Sequence, residues 1–427
     1  MEKGKPTMVS WAAATNIYEV NIRQYTPEGT FNAFTKELPR LKDMGVQTLW
    51  FMPIQPVGVK NRKGTLGSYY SISSYTAINP EFGTLEDFKG MVRLAHEMGF
   101  KVIIDWVANH TSWDHVWTTS HPEFYTKDSS GGFMPPYPDW ADVIDLNFNN
   151  HDLWTAMIND MKFWVNETGI DGFRCDMAHL VPLEFWKQAR MELDELKPLF
   201  WLAETEEANY HEVFDASYTW EFLHQMEAFW RKETDINGLK SVLHKYHSDF
   251  PPNAIRMYFT SNHDENSHSG SEYERMGKAA KAFAVFTSTW NGIPLVYSGQ
   301  ELPNTKRLLF FEKDSIEWTG KNELHDFYKI LLNLHSNHPA LRAVDSTVQT
   351  FSIDTNNSGQ VLSFLRKNGD KEVLVFLNLS DRDNLPLEII DEKLVGKYSD
   401  VFSGGSVDFS TTKNLMMQSW DYLVFEK

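Results

Sequence analysis

From Asn16 to about Tyr297, short apolar runs alternate with stretches whose apolar positions recur every three or four residues. The runs Ile17–Val20, Thr48–Met52, Val102–Asp105, Gly172–Asp176, Phe200–Glu204, Ala216–Tyr218, Met257–Thr260 and Leu295–Tyr297 predict strands. Helical periodicity over Phe31–Met44, Leu85–Met98 and Asp152–Glu167 fills gaps between them. Gly99 stands where a helix should stop, with the strand at Lys101–Asp105 directly after it. Alternation repeated about eight times predicts parallel strands of the α/β class, and the count suits a closed (β/α)8 TIM barrel. An open doubly wound sheet is the competing fold, weakened because no G-x-G-x-x-G follows the first strand.

One connection breaks this rhythm. Between Asp105 and Asp152 the chain is rich in Gly, Pro, Asp and aromatics, as in Ser129-Ser130-Gly131-Gly132 and Pro135-Pro136-Tyr137-Pro138. Loops of that length are uncommon unless functional. We expect a loop-rich excursion over residues 106–150, inserted after strand three of a barrel spanning 10–342. Past Ala343 the pattern shifts to period two. Val361–Leu365 and Val373–Leu377 flank Asn368-Gly369, a hairpin signal, and Tyr422–Phe425 predicts a closing strand. Residues 343–427 therefore read as a C-terminal antiparallel β domain, a sandwich with a structural role.

The chain has 427 residues, 42% hydrophobic and 23% charged, the balance of a packed protein rather than a disordered one. No apolar run approaches the ~18 residues that cross a bilayer, so no membrane span is expected. Met1–Ser10 lacks the apolar core of a signal peptide. A chain whose signal had been removed would look the same, which leaves the compartment open. Forty basic against 58 acidic side chains give a formal net charge of −18, which opposes a nucleic-acid partner. The single cysteine, Cys175, excludes an intramolecular disulfide and a cysteine-rich metal cage. It lies between two inward positions of its strand and should point into packing.

In a (β/α)8 barrel, reacting groups sit at the C-terminal ends of strands. Those ends carry Asp105 with Asn109 and His110, then Arg174 and Asp176, then Glu204, then His263 and Asp264. Three carboxylates facing one mouth are costly, and their physical use is to stabilise developing positive charge, such as an oxocarbenium-like sugar transition state. Arg174 lies two residues before Asp176, so both face the same way on a strand. A cation there should keep Asp176 ionised, as a nucleophile needs, while crowding should raise Glu204 toward a general acid. Each residue taken singly has a plainer reading. A carboxylate ending a strand commonly caps the next helix, Asp105 would merely bond its loop, and His110 and His263 would be rim histidines. Their joint occurrence in strand order carries the argument.

The segments Asp105-Trp-Val-Ala-Asn109-His110, Gly172-Phe-Arg174-Cys-Asp176, Leu202-Ala-Glu204 and Phe259-Thr-Ser-Asn262-His263-Asp264 resemble the four signature segments of the α-amylase family of glycoside hydrolases, family thirteen. Ala77–Thr84, Val143–Asn147 and Tyr297–Glu301 resemble further family segments, and the β tail resembles the family's C-terminal domain. The resemblance implies Asp176 as nucleophile, Glu204 as acid/base and Asp264 as transition-state stabiliser. It implies that Arg174 orients Asp176, that His110 and His263 bind the sugar at the cleaved bond, and that Tyr70 is its stacking platform. For Tyr70 the plainer alternative is a core aromatic. The implied chemistry is double displacement with retention, which predicts an Asp176–Glu204 carboxyl separation of about 5–5.5 Å.

The sequence departs from the family pattern in two places. Where many members carry Lys-His after the nucleophile, His179 and Leu180 stand here, and only His179 can donate to the departing sugar through its side chain. The strand-two segment reads Ser68-Tyr69-Tyr70-Ser71 rather than the common His-Gly-Tyr-Asp. The family commonly holds a calcium ion between barrel and excursion. Asn109 and Asp145 match two of its ligands and the Leu180 carbonyl would supply a third; otherwise the two side chains simply bond the loop. The function implied is retaining cleavage of α-1,4 bonds in starch-like α-glucans or maltooligosaccharides. The alternatives are a transglycosylase or glucosyl isomerase on the same site, and a non-catalytic sugar-binding barrel. No organic cofactor is implied, and the oligomeric state stays open.

Overall fold

The computed structural model describes residues 6–427. Eight parallel strands close into a barrel: Ile17–Val20 (β1), Thr48–Phe51 (β2), Lys101–Trp106 (β3), Gly172–Cys175 (β4), Phe200–Ala203 (β5), Ala216–Tyr218 (β6), Ile255–Phe259 (β7) and Ile293–Tyr297 (β8). Each pairs with its neighbours in chain order, and β1 meets β8 to complete the ring. The strands are buried on both faces, which is why they read as short continuous apolar runs.

The sequence places the helix Leu85–Glu97 well because its ends are marked. Thr84 and Asp87 form a capping box, and Gly99 takes a left-handed φ of 87° just before β3. One expectation needs correction. The periodic stretch from Phe31 is not one helix but two, Phe31–Thr35 and Leu38–Asp43, because Pro39 cannot continue a helix begun upstream. No helix joins β5 to β6; the chain crosses by a 3₁₀ turn, Ala208–Glu212. After β3 the excursion contributes one small antiparallel pair, His110–Ser112 with Val143–Asp145.

The tail forms a six-stranded antiparallel sheet and a separate two-stranded sheet, Leu385–Glu388 with Asn414–Met417. Leu374 and Phe376 pack toward the two-stranded sheet, whereas Val373, Val375 and Leu377 join the barrel's core. Both faces are therefore covered, and the run Val373–Leu377 is apolar throughout instead of alternating. Phe364 meets Trp290 edge-on at 4.8 Å, behind β8. Among the described residues no helix is long and apolar enough to cross a membrane.

Candidate active site

The charged side chains gather at the C-terminal mouth of the barrel, around Arg174 on β4. Strand register sets Arg174 beside Asp105 on β3, and Arg174 Nη1 donates to Asp105 Oδ1 at 2.9 Å. The same nitrogen donates to Asp176 Oδ1 at 2.9 Å, as residues two apart on one strand face allow. Nη2 lies 2.8 Å from Glu204 Oε2, an ion-pair contact that falls outside hydrogen-bonding angles. Nε donates to the Tyr218 hydroxyl at 3.1 Å, and the guanidinium sits 4.8 Å from the Trp50 ring centre. One fully buried cation thus serves three carboxylates. The planar fork meets these three and the Tyr218 hydroxyl at once, more partners than the three donors of a lysine ammonium could serve.

Glu204 is held from a second side. Its Oε2 accepts from the Met177 backbone N–H at 3.0 Å, and Met177 takes a left-handed φ of 41°. A non-glycine residue in that region stores strain that the surroundings must hold.

A cavity of about 310 Å³ opens above this cluster, lined by Tyr70, His110, Asp176, Glu204, His263 and Asp264 among others. The Tyr70 hydroxyl lies 2.9 Å from both Asp105 Oδ2 and His263 Nε2, and its ring stacks on the His263 ring at 5.3 Å. His263 Nε2 also lies 3.2 Å from Asp264 Oδ2, and its Nδ1 contacts Glu19 Oε1. His110 meets Trp140 edge-on at 5.5 Å.

Burial and charge set the protonation of these groups. Burial, then the charge of Glu204, pushes Asp176 well above the usual carboxylate range, and Arg174 pulls the other way. The expectation that Arg174 decides the ionisation of Asp176 is therefore corrected: dry walls and a second carboxylate outweigh one cation. Burial also raises Asp105, opposed by Arg174. For Asp264 burial is the largest influence and works upward, but the charge and hydrogen bond of His263, with the charges of Arg174 and His268, together hold the carboxyl low. Burial would depress His263, yet Asp264 and Glu19 keep it well above the ordinary imidazole value. His110, with no such partner, is pushed down to about 4 by burial and is neutral near pH 7.

Of the residues singled out from sequence, Tyr70, His110, Asp176, Glu204, His263 and Asp264 share the cavity wall, and Arg174 lies beneath it. Tyr70 is a buried aromatic that nevertheless lines the cavity. His179 lies in the 3₁₀ turn Ala178–Leu180, outside that wall; its carbonyl accepts from the Tyr210 hydroxyl at 3.2 Å. Cys175 is buried in packing.

Asn109 and Asp145 brace the excursion. Asn109 Nδ2 lies 3.1 Å from His110 Nδ1, and Asp145 Oδ2 accepts from the Thr126 hydroxyl at 2.6 Å. One carboxylate, one carboxamide and the Leu180 carbonyl fall short of the six to eight oxygens calcium takes. Among the described residues no three His, Cys, Asp or Glu side chains gather as a metal site. The donor set does not fit a calcium ion by itself, and no step below runs through one.

Sequence reasoning missed Glu19, although a carboxylate inside Ile17-Tyr18-Glu19-Val20 is a visible signal, since burying it needs a partner. It also underrated Asp105, which accepts from Arg174, Tyr70 and, at 3.2 Å, Trp50 Nε1. Lys63, Asp142 and Phe311 line the cavity from three separate loops, and nothing in the sequence links them.

A family model described as the α-amylase catalytic domain matches residues 10–141 and 136–349. An α-amylase from Haloarcula japonica is 27% identical over 391 residues, covering 86% of this chain and 56% of that protein. The chain spans between about half and two thirds of the length of such curated relatives. The crystal structure of an α-amylase from Lactobacillus plantarum superposes with a TM-score of 0.87 at 29% identity, covering 97% of this chain and 99% of that one. A noncanonic maltogenic α-amylase from Thermotoga neapolitana gives 0.86 at 30% identity, covering 97% and 96%.

Proposed function

The chain belongs to the α-amylase family of glycoside hydrolases, and from that premise we propose that it cleaves α-1,4 bonds of α-glucans or maltooligosaccharides with retention. The observation that carries this reading is one guanidinium, Arg174, contacting both Asp176 and Glu204 beside a sugar-sized cavity that Asp264 also lines.

In this reading Asp176 attacks the anomeric carbon while Glu204 protonates the departing oxygen, leaving a glycosyl-enzyme. Giving up its proton frees Glu204 to activate water. Water then attacks the anomeric carbon, its proton goes to Glu204, and Asp176 is released. Arg174 holds Asp176 in line and compensates its charge when the covalent bond breaks. Asp264, kept ionised by His263, accepts from sugar hydroxyls and faces the positive charge that develops on the ring. Tyr70 stacks under the ring, and neutral His110 accepts or donates one hydrogen bond to it.

A transferase uses the same three carboxylates and differs only in the acceptor, a sugar hydroxyl in place of water. The hydrolase reading is tested by chromatography of soluble starch, maltoheptaose and pullulan digests, with Asp176→Asn alongside. Shorter oligosaccharides from the native chain alone support it. Products longer than the starting oligosaccharide move the reading to a transferase, and no turnover of any of the three overturns both.

A further inference from the structure

The cavity mouth is not equally open on all sides. Glu204, which protonates the departing oxygen, follows β5. In the closed ring β1 lies opposite β5, with β8 and β2 on its two flanks. The loops after β2 and β8 therefore stand across the mouth from Glu204, on the side that holds the glycosyl unit bonded to Asp176 and whatever precedes it in the glucan.

Those two loops are tied together. The Leu66 N–H donates to the Phe311 carbonyl at 3.0 Å, and the Thr65 N–H donates to Glu312 Oε1 at 3.0 Å, with the Thr65 hydroxyl also on Glu312. Gly64 takes a φ of 64°, and a Cβ there would stand 2.6 Å from Glu312 Oε1 and Phe311 Cβ and 2.8 Å from the Phe311 carbonyl oxygen, so the loops meet too closely for a side chain. Beneath them Arg23 Nη1 donates to the Gly67 carbonyl at 2.8 Å and the Phe310 carbonyl at 3.4 Å. The excursion is strapped to the same rim. Lys63 Nζ donates to the Asp139 carbonyl at 2.9 Å and pairs with Asp142 Oδ1 at 3.3 Å.

We propose that these straps, with Lys63 and Glu312 as their anchors, form a wall that stops an α-glucan from running past the cleavage site. The chain then acts from the non-reducing end of its substrate and releases one- or two-unit products. The inference rests on the glucan-cleaving reading above and adds an action pattern to it. The volume agrees: about 310 Å³ is at the small end of the ~300–1,000 Å³ range of small-molecule sites. A long donor-side groove would need the wall to be absent, because a polymer threading through has to leave by the face that the three loops occupy.

The test compares a p-nitrophenyl α-maltoheptaoside with a free non-reducing end against the same compound blocked there by a 4,6-ethylidene acetal, with products read by chromatography. The native chain should cut the blocked compound about 100-fold more slowly. The Thr65→Ala/Glu312→Ala double variant removes the Thr65–Glu312 strap without touching a residue of the cavity wall. It should regain about tenfold on the blocked compound while keeping its rate on the free one within about threefold. Equal cutting of both compounds by the native chain overturns the wall. So does a discriminating native chain whose double variant gains nothing, since the block then lies elsewhere. Cutting of neither compound overturns the glucan reading itself, and the wall with it.

Discussion

Glu19 on β1 and His263 beyond β7 meet in the barrel mouth although 244 residues separate them, both of them buried. The contact assigns a proton to Nδ1, because a carboxylate only accepts. His263 Nε2 is then directed at Tyr70 and Asp264. Through His263, a residue that does not itself line the cavity bears on both Asp264 and Tyr70.

Glu19→Gln should therefore act through His263. The groups facing this imidazole are Glu19, Asp264, Tyr70 and, at ring distance, Trp50. Loss of one of the two carboxylates that raise His263 lowers its pKa, so its proton leaves at a lower pH. The alkaline limb of kcat/KM should move acidward and the plateau should fall about 10–100-fold. A pH profile of native and variant chains measures both; an unmoved alkaline limb would assign Glu19 to packing alone.

Removing Arg174 should destabilise the fold as well as the reaction. Arg174→Gln leaves Asp105, Asp176 and Glu204 facing one another without their cation, at a cost of about 3–5 kcal/mol for a broken buried pair. The carboxyls whose folded pKa is already raised rise further, so the folded variant binds more protons than the unfolded chain. Its stability must fall as pH rises through that window and recover on acidification. Calorimetry between pH 5 and pH 8 should show the gap in Tm from the native chain widening with pH. A constant gap would mean that the lost charge is compensated elsewhere.

How much of this was legible beforehand depended on the kind of contact. The eight strands were readable because each is a short apolar run buried on both faces, and Leu85–Glu97 because its cap and its stop are local chemistry. Asp176, Glu204 and Asp264 were readable because a barrel maps strand ends onto one mouth. The split at Pro39 was also written in the chain and was outvoted by periodicity. What could not be read was pairing between loops. Lys63 with Asp142, and Thr65 with Glu312, are fixed by the way separate loops fold over the mouth, and neither partner carries a local signature. The ionisation of Asp176 was misread for a related reason, since desolvation depends on walls built from every part of the barrel.

Chelation should change little. Asp145 Oδ2 already accepts from Thr126, and Asn109 is fixed by its Nδ2 beside His110, so protein contacts hold the excursion at the positions where calcium was expected. Treatment with EGTA should leave Tm and activity within error of the untreated protein. A drop of several degrees, restored by calcium and abolished in Asp145→Ala, would instead assign an ion to this pair.

The β domain should stabilise the barrel without joining the chemistry. Phe364 is 2% exposed and packs edge-on against Trp290 and, at 5.9 Å, Phe286, on and just after the helix Ala280–Thr289 that precedes β8. Phe364→Ala removes a ring from a site closed on both sides, and such truncations cost about 3–5 kcal/mol. None of Phe364's contacts reaches the cavity wall, so the loss should appear in the unfolding transition and not in the rate. Differential scanning calorimetry should show a Tm several degrees lower, with kcat/KM below the transition within about twofold of the native value. An equal fall in kcat/KM at temperatures where the variant is fully folded would show that the β domain positions the mouth residues through β8, and would give it a part in catalysis.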